Sequence, residues 1–398
     1  MSEPQKTIVY FSIWSSASEL AAGSVRPTLE AISDYENPPS IIYVSVETDA
    51  IRAPSWLPST ATFVPVCVSN GRSLTARARK IILTLSAVRQ VVRNSGASAV
   101  LSRGAPAAGI ASLATVGMKC HHLIESFEPH AEYMVSAGIW PRFGLRSLME
   151  HSLEWIALKR ARWIATVSRR YHRELEKIVS SSTEVTCIPC IADSKLFYFD
   201  LTARQLLRTR MNLCDRFVIV YVGKFGGLYL DKEAFHLMAR LFDLDQSLYF
   251  IILTPNAEGE INRLALESRL STSNYCSLAV RHTQVKDFLS AADLGLGFHR
   301  PTLRSSGFSP IKYAEYWACG LPMVSPSGVG SDDALIHEHG LGLATDILDE
   351  LAPEHVISYI ETLRRQPPSR VTICKAGQYV RNPNLLIDET NLAIQKFL

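Results

Sequence analysis

Arg216-Phe217-Val218-Ile219-Val220-Tyr221-Val222 closes on the glycine-rich turn Gly223-Lys224-Phe225-Gly226-Gly227-Leu228-Tyr229. A short apolar run rich in β-branched residues and bounded by glycine predicts a buried strand with a tight exit. Its position matters as much as its composition. The chain before it has already run through a series of strands and helices, and here the series begins again. Upstream, strands are predicted at 7–13, 41–46, 62–68, 99–101, 119–124, 162–168 and 185–189. Helices fall between them at 24–32, 74–94, 106–115, 145–162 and 171–179. Downstream, strands at 216–222, 247–254, 276–280, 294–298 and 322–325 alternate with helices at 232–241, 259–270, 284–291, from 312, at 331–339 and at 353–365. Alternation of this kind specifies an α/β fold with largely parallel sheets covered on both faces. The expected organisation is a first Rossmann-like domain over 1–190, a second over 191–375 and a closing helix over 376–398 that packs back on the first. A cleft between two such domains is a common place for a ligand.

Bulk properties narrow the class. The chain has 398 residues, 47% of them hydrophobic, which is enough for two cores. Its net charge of +3, from 41 basic and 38 acidic residues, gives no reason to expect nucleic acid. Cys187-Ile188-Pro189-Cys190 has CxxC spacing, but no second pair completes a zinc site. Asp243-Leu244-Asp245 follows a helix without neighbouring histidines and reads as a solvated turn, so no metal is expected. The N-terminal residues read as a first strand and not as a signal peptide. The longest apolar runs are too short to span a bilayer. A cytoplasmic protein is expected, with contact at the inner membrane face left open. Trp140, Arg142, Phe143, Arg146 and Trp155 are candidates for such contact, although packing of the long 145–162 helix is the expected use of these residues.

The chemistry concentrates in Ser309-Pro310-Ile311-Lys312-Tyr313-Ala314-Glu315-Tyr316, followed by Trp317-Ala318-Cys319-Gly320-Leu321-Pro322. Lys312 and Glu315 are three apart on a helix and share a face. A cation and a carboxylate near a helix N-terminus suit a phosphate and a sugar hydroxyl. The Gly223–Tyr229 loop allows close approach of main chain to an anion. It is neither a P-loop nor a dinucleotide fingerprint, and by itself equally reads as a surface turn.

Together these segments resemble the retaining glycosyltransferases of the two-Rossmann-domain type (GT-B, family 4), in the branch carrying Ser-Pro-x-Lys-x-x-Glu-Tyr. The resemblance runs over roughly residues 216–345. It rests on Tyr221–Tyr229, Phe250–Thr254, Val285–Asp293, Ser309–Glu315 and Ala318–Pro322. It implies a metal-independent hexosyltransferase with no cofactor beyond its nucleotide-sugar substrate, UDP- or GDP-linked. The two domains would face each other across a cleft. Lys312 would hold a donor phosphate and act in catalysis, and Glu315 would bind the ribose hydroxyls. Gly223, Gly226 and Gly227 would admit the diphosphate, with Lys224 and Arg304 as further cations. Thr254, His282 and Val285 would lie by the base, and Ser309 by the sugar. The commonest family form has a second glutamate eight positions before Glu315. Gly307 stands there, so sugar contacts must come from elsewhere in 305–309.

The first half supplies acceptor-side candidates. Glu125, Glu128 and His130 follow the strand expected to end near Ile124, and a residue here would approach the anomeric carbon in the resembling family. Glu128 and His130 are both candidates for that role. Gly23, Arg26 and Arg103 occupy other strand exits or early loops. The acceptor implied is a glycan or a lipid-linked sugar of cell-surface polysaccharide or glycoconjugate synthesis. Two other readings keep the same fold: a sugar-nucleotide epimerase, and a non-catalytic partner subunit that has lost transfer.

Overall fold

A computed structural model describes residues 6–69, 71, 73–302 and 305–398. The chain divides into two compact units. One takes the residues up to Pro189 together with Asn384–Leu398, and the other is Cys190–Pro383. The first unit contains seven strands: β1 (Thr7–Ser12), β2 (Ser40–Glu47), β3 (Ala61–Cys67), β4 (Ala99–Arg103), β5 (His121–Phe127), β6 (Ala161–Thr166) and β7 (Glu184–Cys187). They form one sheet in the order β3-β2-β1-β4-β5-β6-β7. The second unit contains β8 (Phe217–Val222), β9 (Leu248–Leu253), β10 (Tyr275–Leu278), β11 (Leu294–Leu296), β12 (Met323–Pro326) and β13 (Gly342–Thr345). Its order is β10-β9-β8-β11-β12-β13.

Neighbouring strands run parallel throughout both sheets. Parallel strands need crossovers, and the helices that supply them cover the sheet faces, which explains why the strands are apolar on both sides. In each sheet the order reverses beside the first strand, at β1/β4 and at β8/β11. Loops leaving the two strands there diverge and open a crevice at their carboxyl ends.

Within the second unit, one face of the sheet packs Ile219, Phe235, Met238 and Phe250, and the other packs Val218, Val220, Ile251 and Trp317. The helix Ile311–Ala318 lies against β11 because glycines stand within that strand and just after it. A Cβ at Gly295 would stand 2.6 Å from the Tyr316 ring, and one at Gly297 would stand 2.6 Å from the Tyr313 hydroxyl oxygen. The Tyr316 hydroxyl accepts from the Val222 N–H at 3.0 Å and donates to the Leu296 carbonyl at 3.1 Å. One phenol therefore ties the ends of β8 and β11 together where the strand order reverses.

Several expected boundaries move. β5 does not end near Ile124 but continues to Phe127, so Glu125 belongs to a strand. Ser126 adopts a positive φ of 52°, and the pairing with β6 shifts register there, which lets the strand run on irregularly. The expected closing helix is two helices, Arg370–Val380 and Pro383–Phe397. Pro383 disfavours helical backbone in the residue before it and separates them. The first of the two lies in the second unit, with Gly377 against Trp317. The second lies in the first unit, where Ala393 and Ile394 join the core of Ile8, Tyr10 and Tyr43. The helix expected over 24–32 is two short ones, Glu19–Ser24 and Arg26–Ser33. Unexpected elements are the helix His130–Ser136 and the strand β13, whose Gly342-Leu343-Ala344-Thr345 has little strand-forming character.

Gly297→Ala should lower the unfolding free energy by about 1–3 kcal/mol through overpacking against Tyr313. Urea unfolding of the variant checks this, and an unchanged midpoint would contradict the packing described.

Candidate functional site

Lys312 stands in the first turn of the Ile311–Ala318 helix, one turn before the anchored Tyr316. Its side chain is 7% exposed, and its Nζ has no hydrogen-bond acceptor among the described residues. Two aromatic faces flank the ammonium, with Nζ 4.5 Å from the Tyr229 ring centroid and 4.9 Å from that of Tyr221. Gly223, which leaves β8 with φ 146°, covers it closely. A Cβ there would lie 2.5 Å from Nζ. Cation–π contact offsets only part of the cost of burying a charge. Burial accordingly drives the Lys312 pKa down to about 7, with Glu315 pulling the other way. A buried cation with no hydrogen-bond acceptor of its own has the electrostatics to suit an anion.

Glu315 lies on the same helix face and is buried. Its Oε1 accepts from His282 Nε2 at 2.9 Å, which makes Nε2 the protonated ring nitrogen in this contact. His282 opens the helix His282–Ala291 and meets the edge of Phe197 at 5.1 Å. The glycine loop is fixed from behind. Asn256 Oδ1 accepts from the Phe225 N–H at 3.0 Å and from the Thr254 hydroxyl at 2.9 Å. The Tyr221 hydroxyl donates to the Lys224 carbonyl. Gly226 and Gly227 both take positive φ, 84° and 65°, which glycine accepts without strain. The chain leaving the loop bridges Tyr229 to His299 in antiparallel fashion, and the Leu230 N–H donates to Phe298.

The second unit thus brings Gly223, Gly226, Gly227, Lys312, Glu315, His282 and Thr254 to the carboxyl edge of one sheet, at its switch point. Other expected residues play different parts there. The Lys224 side chain is exposed. Val285 is in the core, packed with Leu289 and Val220. The Ser309 hydroxyl oxygen accepts from the Cys190 N–H at 3.0 Å and from Arg381, so both its acceptor positions are used in fixing the helix start. Arg381 in turn pairs with the buried Asp332 at 2.6 Å. Arg304 lies outside the described residues.

Two residues of the second unit were missed from sequence. Asn256 was hidden in a polar turn. His299 follows β11 and is buried, with Nδ1 lacking a partner among the described residues. Its ring stands 4.8 Å from Tyr229, the residue that also flanks Lys312. Burial first, and the Lys312 charge second, push its pKa well below the usual histidine value, so it is neutral. A histidine immediately after a strand at the switch point was the available signal.

In the first unit the candidates also collect at a carboxyl sheet edge, but they are mostly satisfied. Glu125 accepts from Tyr10, from the Thr28 hydroxyl at 2.7 Å and from Arg103 at 2.6 Å. Arg103 also lies 5.6 Å from the Trp14 ring. Glu128 differs. Burial raises its pKa to about 7, only partly opposed by Arg103. His130 begins the unexpected helix, 5.5 Å from Trp140, and burial lowers its pKa. Glu154, also missed from sequence, accepts from the Ala131 N–H at 2.8 Å and helps hold that helix start. Arg26 pairs with Glu30 at 3.6 Å, and Gly23 lies within the helix Glu19–Ser24. Among the described residues no cluster of His, Cys, Asp and Glu could hold a metal ion, and no helix is long and apolar enough to cross a membrane.

No family model and no curated protein matches the chain. Solved structures do match, each over 98% of this chain. Sucrose-phosphate synthase from Thermosynechococcus elongatus aligns over 98% of its own length at 15% identity, with a TM-score of 0.73. HepE from Anabaena, in complex with UDP-glucose, aligns over 99% at 11% identity and 0.70. A putative UDP-N-acetylglucosamine 2-epimerase from Listeria monocytogenes aligns over 96% at 11% identity and 0.65. The chain has the GT-B fold of these proteins. Fold does not choose among their reactions, which leaves function to be argued from the site.

The Lys312 environment makes a prediction about pH. Its folded-state pKa of about 7 lies below the ~10.4 of an unfolded lysine. Between these values the unfolded chain binds the extra proton, so this group makes stability rise with pH, by at most about 1.4 kcal/mol per unit. Lys312→Met should remove that slope and be more stable than wild type at and below neutrality. Urea unfolding of both proteins across the pH window checks this, and parallel curves would contradict it.

Proposed function

We propose that this chain is a glycosyltransferase that binds a UDP- or GDP-sugar in its second unit and transfers the sugar to a hydroxyl. The observation that carries the reading is the buried Lys312 ammonium, without an acceptor and beneath a glycine loop at the switch point. In this reading a donor phosphate supplies the missing anion. As the glycosidic bond breaks, negative charge grows on the leaving diphosphate, and Lys312 stabilises it in a site of low dielectric. Lys224, exposed on the loop, adds positive potential there. No metal ion is required. Glu315, oriented by His282, accepts hydrogen bonds from the ribose hydroxyls. His299 lies on the Lys312 side of the site and is a candidate for a donor contact that replaces the glutamate absent at Gly307.

Transfer proceeds with retention of anomeric configuration, as in the family that the Lys312–Glu315 motif resembles. The acceptor hydroxyl attacks the face the diphosphate leaves, with a phosphate oxygen taking its proton. Glu128 and His130 are the first unit's candidates for orienting the acceptor. Glu128 is the better placed chemically, because a carboxyl titrating near neutrality can accept or donate a proton. The acceptor class proposed is a glycan or lipid-linked sugar in cell-surface polysaccharide or glycoconjugate synthesis. A lipid-linked acceptor would require contact with a membrane from the cytoplasmic side.

The absence of a glutamate at Gly307, together with the Listeria structure, favours one second reading, epimerisation of the nucleotide sugar. Nucleotide release from UDP- and GDP-sugars, with glycan and lipid-linked acceptors offered, separates the two. Transfer predicts acceptor-dependent release of nucleotide and a product of retained configuration by NMR. Lys312→Met should lower kcat/KM by roughly a hundredfold or more. A changed sugar still bound to its nucleotide, formed without acceptor, would overturn the transferase reading.

A further inference from the structure

Lys312 rides on a short helix that does not cap its own start. Pro310 stands at the N-cap of Ile311–Ala318, makes no side-chain cap hydrogen bond and has no N–H to give. The far half of the helix is anchored by the Tyr316 hydroxyl. It is also anchored by Gly377, where a Cβ would stand 2.5 Å from that of Trp317. The near half, with Lys312, must be held from elsewhere. The need is physical. An ammonium without an acceptor gains by returning to water, and the long lysine stem carries it there once the helix start shifts.

Arg381, which ends the helix Arg370–Val380, supplies the hold. Its guanidinium is buried over the Trp317 ring, 5.7 Å from the centroid. Nη1 donates to the Ser309 hydroxyl oxygen and, at 3.3 Å, to the Cys190 carbonyl. Nη2 donates to Asp332 at 2.6 Å. The Ser309 oxygen also accepts from the Cys190 N–H at 3.0 Å. One planar group therefore joins the segment after β11, the segment after β12 and the helix between them. It does so from both ends of the second unit, because Cys190 opens that unit and Arg381 lies just before its end.

Stability alone does not call for this arrangement. Apolar side chains of similar volume often replace a buried ion pair at no cost. The Arg381 Nε, moreover, finds no acceptor among the described residues. What the fork provides is geometry. It fixes Ser309, one helical turn ahead of Lys312, in a single position. A lysine at 381 would keep a charge for Asp332 but lose the planar fork.

We propose that Arg381 is a positioning residue for Lys312: through Ser309 it holds the helix start that keeps the ammonium beneath Gly223. The inference rests on the donor-site reading for what the ammonium does, but its first test needs no nucleotide. NMR titration of the Lys312 side chain, identified by its loss in Lys312→Met, compares the wild type with Ser309→Ala and Arg381→Lys. Both variants keep opposite charges at 381 and 332, so folding should survive, and the same spectra show it. The titratable groups that face the ammonium, Glu315, His299, Tyr221 and Tyr229, are unchanged in both. The midpoint should move from about 7 towards the ordinary lysine value of about 10.4. Val356→Ala, a core change on the helix Ala352–Arg365, should leave it in place. Calorimetry with UDP, GDP and their nucleosides then reads the consequence. Ser309→Ala should weaken the nucleoside diphosphate that binds by roughly tenfold and leave its nucleoside unaffected. In a Lys312→Met background it should have no further effect. A midpoint unmoved in both variants, or moved equally by Val356→Ala, would overturn the proposal. So would a loss of affinity that the nucleoside shares. A moved midpoint in a protein that binds neither nucleotide would support Arg381 as the residue holding Lys312 and remove the donor-site reading instead.

Discussion

The second unit is organised around a charge it does not neutralise. Placing an ammonium among Tyr221, Tyr229 and Gly223 costs stability, and the lowered pKa of Lys312 records that cost. Nothing about the fold requires a lysine there, because an apolar side chain of similar length would fill the space without penalty. Much of the local architecture nevertheless serves to hold it. Tyr316 pins its helix to β8 and β11, glycines at 295 and 297 let that helix approach, and Asn256 fixes the loop above it. Strain or cost that persists under such support is characteristic of a functional site.

The first unit shows the opposite pattern. Glu125 is buried deeply but fully occupied by Tyr10, Thr28 and Arg103. Glu47 is likewise buried and accepts from the Ser16 N–H at 2.8 Å and from the hydroxyls of Ser15 and Ser45. These carboxylates tie strand exits together, which is an architectural role. Glu128, with its pKa near neutrality, and its neighbour His130 stand apart from that network as the groups with chemistry to spare.

The alternation of strand and helix was legible because a parallel sheet demands apolar strands separated by crossovers. The restart at Phe217 marked the second unit for the same reason. Lys312 and Glu315 were legible through helical spacing and through resemblance to a known motif. What escaped the sequence was tertiary. β13 has glycine where a strand usually has branched residues, and only its pairing with β12 makes it a strand. Glu125 read as a loop residue because nothing local shows that β5 continues through a positive-φ serine. The roles of Ser309 and Val285 depend on partners distant in sequence, Arg381 for one and the core around Leu289 for the other. His299 carried only its place just after an expected strand, and its meaning comes from sharing Tyr229 with Lys312.

The central claim is that Lys312 waits for a phosphate. Calorimetric titration of UDP and of GDP into the wild type, Lys312→Met and Glu315→Ala tests it most directly. The account predicts that one nucleotide binds the wild type and that both variants lose affinity while remaining folded. Lys312→Met should lose the diphosphate contribution and Glu315→Ala the ribose contribution. Nucleotide binding that survives Lys312→Met undiminished, or no binding of either nucleotide to a folded wild type, would contradict it.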